Sequence, residues 1–393
     1  MRRQPTPDQM RILFLTPRFP LPTTKGDKLR SWQIIRKLAS EHEVVLISFI
    51  DEETEQEFIP EVKKYCAVET VPFRKVPQFI GTLSASFGTE PLQVKLFDSQ
   101  EIKSLVDKHL PETDVIHLST LRMASNIPDD FDGKLVVDFI DALSMNFKRT
   151  EEKLKSPMKI VYRTEHHRLT EYESRLLDRA DAAFTVSPVD SRIIGGKASV
   201  IPNSVNTDEF SPPEYGYNRK DIIFTGNMNY QPNVEGAKFM ANEIMPIVNR
   251  AVPDLKLRLV GKDPCPAVRA LANENVEITG FVEKISDEIR NSAVSVAPMV
   301  SGSGLQNKVL EAMGCATPVV STSMANSGIG ACHGSEILLS DEPVEFASHI
   351  VSLIKDRSKA DTVGNGGRKF VEEKFSWEGT RLKLLEIYRS LEK

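Results

Sequence analysis

The feature that most constrains the fold is an alternation written into the first fifty residues. "RILFLT" (11–16) is an unbroken apolar run, and "PRFPLPTTKGDKLR" after it is a loop with Pro and Gly. "SWQIIRKLASEH" then has the spacing of an amphipathic helix, and "EVVLISF" (43–49) is a second apolar run. Strands without polar interruption are covered on both faces, and two of them joined through a helix must lie parallel. The fold class is therefore α/β, a parallel sheet flanked by helices. "DVIHL" (114–118), "KLVVDF" (134–139), "AAFTVS" (182–187) and "ASVIPN" (198–203) continue the strands, with helical patterns at 92–109 and 158–180. They predict one doubly wound domain ending near residue 203.

A turn-rich linker, "NSVNTDEFSPPEYGYNRK" (203–220), separates this run from a second one. Strand patterns return at "DIIFTG" (221–226), "LKLRLVG" (255–261), "NVEITG" (275–280), "AVSVAP" (293–298) and "TPVVST" (317–322). A helix is expected at 233–250, and three close the chain at 343–356, 359–373 and 377–391. A chain of 393 residues exceeds one ordinary core, so two similar α/β domains facing across a cleft are expected. In such sheets ligands sit beyond the carboxyl ends of the strands. Glycine loops at 25–27 and 301–304 both follow such ends.

Composition narrows the function classes. A net charge of -5 argues against a general nucleic-acid binder, and no stretch approaches the roughly 20 apolar residues of a membrane span. The N-terminus runs straight into a strand, without the apolar region of a secretory signal. Cys66, Cys265, Cys315 and Cys332 are scattered, suggesting neither a zinc knuckle nor a disulfide framework. A reduced, cytoplasmic protein is the simplest expectation. No carboxylate cluster calls for a metal, and no Ser/His/Asp triad is visible.

The stretch "SGSGLQNKVLEAMGCATPVV" (301–320) concentrates the candidate chemistry. Gly302 and Gly304 precede a short helix whose free N–H groups and dipole attract anions, and Lys308 adds a full positive charge. A glycine turn with a solvated lysine is the plainer reading of the same residues.

Taken with "IPNSVNTDEFSP", "IIFTGNMNYQPNVEGAKFM", "LRLVG", "ITGFV" and "FSWEGTRLKLLEIY", this stretch resembles glycosyltransferase family 4. The branch most similar is that of sugar transferases of bacterial exopolysaccharide loci. The resemblance implies the GT-B fold: an N-terminal acceptor-binding domain (1–203), a C-terminal nucleotide-sugar-binding domain (204–376) and a last helix (377–393) packing back on the N-domain. It implies a retaining transfer of a sugar from a nucleotide-sugar to a glycan or polyprenyl-linked acceptor, in surface or exopolysaccharide synthesis. No cofactor and no metal are expected. A sugar-nucleotide epimerase of the same fold and a non-catalytic sugar-nucleotide binder are the rival readings.

By the same resemblance, Glu311 meets donor ribose or sugar hydroxyls, because a carboxylate accepts two hydrogen bonds from a diol. Lys308 holds the donor diphosphate, assisted by the backbone N–H groups of Gly304 and Leu305. Ser303 stands where the family has another glutamate. Gly226, Asn227 and Met228 stand where it has an arginine, with Asn233 and Glu235 downstream, so Arg18 and Lys25 become candidates for a second cation. Gly26 matches the family's N-terminal glycine loop. In place of a family histidine, "VVDFIDALS" offers Asp138 and Asp141 as catalytic candidates, with His117 as another. A buried or capping aspartate is the alternative for both. His166 and His167 read as part of a solvated helix face. Residues 148–168 hold seven Lys/Arg against three Glu, an excess of +4, which reads either as a solvated face or as a peripheral contact with anionic lipid at the inner face of the cell membrane.

Overall fold

The computed structural model describes residues 9–23, 25–73, 89–213, 219–301 and 305–391. The chain divides into two compact units, one of residues 1–201 with 381–393 and the other of residues 202–380.

The first unit is a seven-stranded parallel sheet: β1 (Arg11–Thr16), β2 (Glu43–Ile50), β3 (Ala67–Pro72), β4 (Val115–Ser119), β5 (Lys134–Ile140), β6 (Ala182–Thr185) and β7 (Ser199–Val200). The order across it is β3-β2-β1-β4-β5-β6-β7. The apolar runs are continuous because the sheet has a core on each face. Leu13, Leu15, Val45, Ile47, Ile116 and Leu118 point into one, and Ile12, Phe14, Val44, Leu46 and Val115 into the other. The final helix contributes Leu384, Leu385 and Tyr388 to the second core. Helix α1 (Gly26–Leu38) begins ahead of the expected span, inside the glycine loop. The single helix expected at 92–109 is two, Leu92–Lys95 and Gln100–His109. Ser99 makes the break by accepting from the Ile102 N–H at 3.4 Å, an N-cap that starts a new helix. Next come α2 (Leu143–Lys153) and α3 (Met158–Arg179).

The second unit repeats the plan in β8 (Lys220–Thr225), β9 (Leu257–Val260), β10 (Val276–Gly280), β11 (Ser292–Ala297), β12 (Val319–Ser321) and β13 (Leu338–Leu339). These six are parallel in the order β10-β9-β8-β11-β12-β13. The helix expected at 233–250 is α4 (Gln231–Phe239), a wide turn over Met240–Ile244, and a further helix Met245–Ala251. Pro246 has no N–H to give and its ring crowds the carbonyl four residues back, so the helix widens there. Helix α5 (Asn307–Gly314) follows β11, and α6 (Trp377–Leu391) ends the chain. Each sheet reverses its strand order once, between β1 and β4 and between β8 and β11, and such a point opens a crevice at the carboxyl ends. Among the described residues, no helix is long and apolar enough to cross a membrane.

Candidate active site

Beside the β8/β11 switch point of the second unit, β8 and β9 run into Gly226 and Gly261, and β10 ends in Gly280. The Gly226 N–H donates to the Val260 carbonyl at 3.0 Å, and the Gly261 N–H to the Gly280 carbonyl at 2.8 Å. Gly261 has φ +148°, and a Cβ there would lie 1.8 Å from the Gly226 carbonyl oxygen, so only glycine lets the two strand ends meet. A Cβ at Gly226 would come 2.7 Å from Asn233 Nδ2. Asn233, in the first turn of α4, is buried, and its Nδ2 donates to the Asn227 carbonyl at 2.9 Å.

Its other end meets Lys308. Lys308 Nζ, projecting from the first turn of α5, donates to Asn233 Oδ1 at 2.8 Å and to Gln306 Oε1 at 3.3 Å. It also lies 3.6 Å from Met299 Sδ and 5.1 Å from the centre of the Phe224 ring. Among the described residues Lys308 makes no ion pair within 4 Å: neutral acceptors and an aromatic face hold the cation. Burial lowers its pKa to about 8, with Glu311 opposing. Glu311 sits three residues on, where burial raises its pKa to about 7 against the pull of Lys308. Glu235 accepts from Ser301 Oγ and, at 3.0 Å, from Gln231 Nε2. Leu305 packs against the core of this unit. Gly302, Ser303 and Gly304 lie outside the described residues. The structure thus links Gly226, Asn227, Asn233 and Lys308 through contacts, with Glu311 three residues on from the lysine.

The first unit holds the remaining candidates. Gly26 opens α1, exposed and with free space about it. Arg18 Nη1 lies 2.5 Å from Asp27 Oδ2, and its Nε lies 3.6 Å from Asp51 Oδ2, so two carboxylates already answer its charge. Lys25 is exposed. Asp138 is fully buried: Arg30 Nε donates to its Oδ2 at 2.5 Å, and Arg30 Nη2 to its Oδ1 at 2.9 Å. Arg30 Nη1 continues to the Ile201 carbonyl at 2.7 Å. This is the buried alternative for Asp138, a carboxylate closed into an ion pair rather than one open to substrate.

Asp141 differs. It is half-buried, accepts from Asn146 Nδ2 at 2.9 Å, and has its pKa raised by burial and by Asp190. It follows Ile140, a β-branched residue at φ +65°, while Thr120 after β4 stands at φ +73°. Backbone strain at two adjacent strand ends marks the crevice of this unit. His117 is instead a core residue, stacked on Phe14 with ring centres 4.4 Å apart and bonded through Nδ1 to Tyr388 Oη at 2.6 Å. Burial holds its pKa near 3, so it stays neutral. His166 Nδ1 lies 3.1 Å from the Ser144 carbonyl, tying α3 to α2, and His167 is exposed.

Sequence reasoning passed over Arg30, whose partner is 108 residues away. It also assigned no role to Asn233, which orients the lysine. Among the described residues no group of three or more His, Cys, Asp or Glu side chains is placed to hold a metal ion.

Residues 219–356 match the family Glycosyl transferases group 1. The chain is 25% identical over 175 residues, 42% of its length, to a 44.6 kDa protein of the cps region of Klebsiella pneumoniae, covering 45% of that protein. It is 24% identical over 209 residues to a phosphatidyl-myo-inositol mannosyltransferase of Mycobacterium leprae, covering 50% of this chain and 55% of that one. The chain thus spans about half the length of these curated relatives. Among solved structures, sucrose-phosphate synthase of Thermosynechococcus elongatus superposes with a TM-score of 0.72 at 16% identity, over 98% of this chain and 99% of that one. HepE of Anabaena, solved with UDP and glucose, superposes at 0.71 and 16% identity, over 97% of this chain and 100% of that one. The second unit thus carries a match to the Glycosyl transferases group 1 family, and the chain shares the GT-B fold of these structures along its length.

Proposed function

We propose that the protein moves a sugar, with retention, from a nucleotide-sugar to a glycan or lipid-linked acceptor in surface or exopolysaccharide synthesis. The observation that carries this reading is Lys308, a half-buried ammonium at the β8/β11 switch point whose hydrogen bonds among the described residues go to neutral acceptors. A donor diphosphate would complete its charge, and the N-terminus of α5 points the same way. Glu311 would accept from donor hydroxyls. As the sugar leaves the diphosphate, charge grows on the departing phosphate, where a fixed cation is worth most. In the first unit Asp141 is the carboxylate we assign to acceptor or sugar hydroxyls, and Asp138 supports the frame around it. The relative in a cps region and the UDP-bound HepE support both the setting and a nucleotide-sugar donor.

The test is a thermal-shift screen of the chain against UDP-, GDP- and ADP-sugars. One nucleotide-sugar should raise the melting temperature, and Lys308→Ala should remove the shift. No shift with any of them would contradict the reading.

A further inference from the structure

The first unit has a switch point of its own, between β1 and β4, and the sugar-transfer reading leaves one cation beside it unused. Arg122 stands in the short helical turn Leu121–Asn126 that follows β4. Its Nε donates to Gln93 Oε1 at 2.9 Å. Gln93 belongs to the helix Leu92–Lys95, which packs on that turn. The helix is anchored in its own right, because buried Glu165 accepts from the Leu92 N–H at 2.7 Å. The backbone that carries Arg122 is tied down as well. Its N–H donates to Thr120 Oγ1 at 3.4 Å, and the Thr120 N–H donates to the Asp138 carbonyl in β5 at 2.8 Å.

The Arg122 side chain is half-buried. Among the described residues it makes no ion pair within 4 Å, and Gln93 is its one side-chain hydrogen-bond partner. Burial and Arg18 lower its pKa while Asp27 and Asp141 oppose them, so all three lie within electrostatic reach of it. Arg18 is already answered by Asp27 and Asp51. A neutral amide therefore orients the Arg122 guanidinium without cancelling its charge. The planar fork of Nη1 and Nη2 matches the oxygens of a phosphate or a carboxylate, and a point charge would not select for that shape.

We propose that Arg122 binds an anionic group, phosphate or carboxylate, on the acceptor whose hydroxyl meets Asp141, so that the acceptor is a charged sugar rather than a neutral one. Calling this molecule the acceptor rests on the sugar-transfer reading; the binding of a charged sugar does not.

The test is titration calorimetry of the full chain, without nucleotide, with methyl glucoside, glucuronate and glucose-6-phosphate, which share a hexose and differ in charge. At least one charged sugar should bind about tenfold tighter than methyl glucoside, and added salt should weaken it. Which of the two binds separates a carboxylate from a phosphate. Arg122→Gln should remove about tenfold or more of that affinity. Gln93→Ala keeps the charge but frees the guanidinium, and should weaken binding by about fivefold. UDP binding should be unchanged in Arg122→Gln, and charged-sugar binding unchanged in Lys308→Ala, which separates this site from the donor site. The proposal is overturned if neither charged sugar binds better than methyl glucoside, or if Arg122→Gln, folded by circular dichroism, keeps the difference. Should that variant unfold, unchanged binding in Gln93→Ala overturns it. An equal loss of UDP affinity in Arg122→Gln also overturns it, in favour of a second cation for the donor. Failure of wild type to bind UDP leaves the sugar titrations readable and counts against the sugar-transfer reading alone.

Discussion

Lys308 and Glu311 have pKa values displaced toward each other, about 8 and about 7, and burial is the first cause of both. Donor binding as proposed needs the lysine charged and the carboxylate ionised. Lys308 loses its proton as pH rises through about 8, and Glu311 gains one as pH falls through about 7. Affinity for a nucleoside diphosphate should therefore peak in the narrow range between them, with limbs that belong to the coupled pair. Glu311→Gln should remove the acid limb and lower turnover by about tenfold or more while the protein stays folded. Calorimetry across pH checks this, and an unaltered acid limb in the Gln variant would give Glu311 no part in binding. Arg30 and Asp138 call for the opposite kind of test. Arg30→Met leaves the Asp138 charge buried without its partner and should cost about 3–5 kcal/mol. Arg30→Met/Asp138→Leu should recover a large part of that loss in urea unfolding of the first unit. No recovery would mean that Asp138 does more than answer Arg30.

At the scale of elements, Glu173 shows how one buried acid organises a helix start. It lies on α3, is buried, and accepts from the Ser144 N–H at 3.0 Å, in the first turn of α2. Burial raises its pKa to about 7. The folded state thus binds a proton that the unfolded state releases near pH 4.5, the group's ordinary value, so stability contributed here falls as pH rises from there to about 7. Glu173→Gln keeps the acceptor without the charge and should flatten that slope. Glu173→Ala orphans a buried N–H and should cost about 1–3 kcal/mol. Equal stability of the two variants would contradict the cap. The same scale shows what was legible. β1, β2, β4 and β5 announced themselves because both faces are buried and most of their residues are apolar. β3 did not, since "AVETVP" lies at the sheet edge and mixes Glu69 and Thr70 with valines. β13 is two residues long, too short for any pattern.

Across the whole molecule, two rounds of strand–helix alternation and a turn-rich linker made a pair of doubly wound units readable from sequence alone. Of the second unit's strand-end glycines the sequence reading singled out Gly226 but not Gly261 or Gly280, and it singled out Lys308 without its partner Asn233. What stayed hidden were the contacts between distant parts of the chain: Arg30 with Asp138, His117 with Tyr388, and Lys308 with Asn233, 75 residues apart. Such pairs leave no periodicity, so only the folded coordinates reveal that Asp138 and His117 are interior groups. The central claim is that the second unit holds a donor diphosphate on Lys308, and titration calorimetry with UDP and with uridine, on wild type and Lys308→Ala, tests it most directly. The substitution should weaken UDP by about 1.5–3 kcal/mol, the range for a hydrogen bond to a charged group, and leave uridine nearly unchanged. Equal loss for both ligands, or no loss for either, would contradict it.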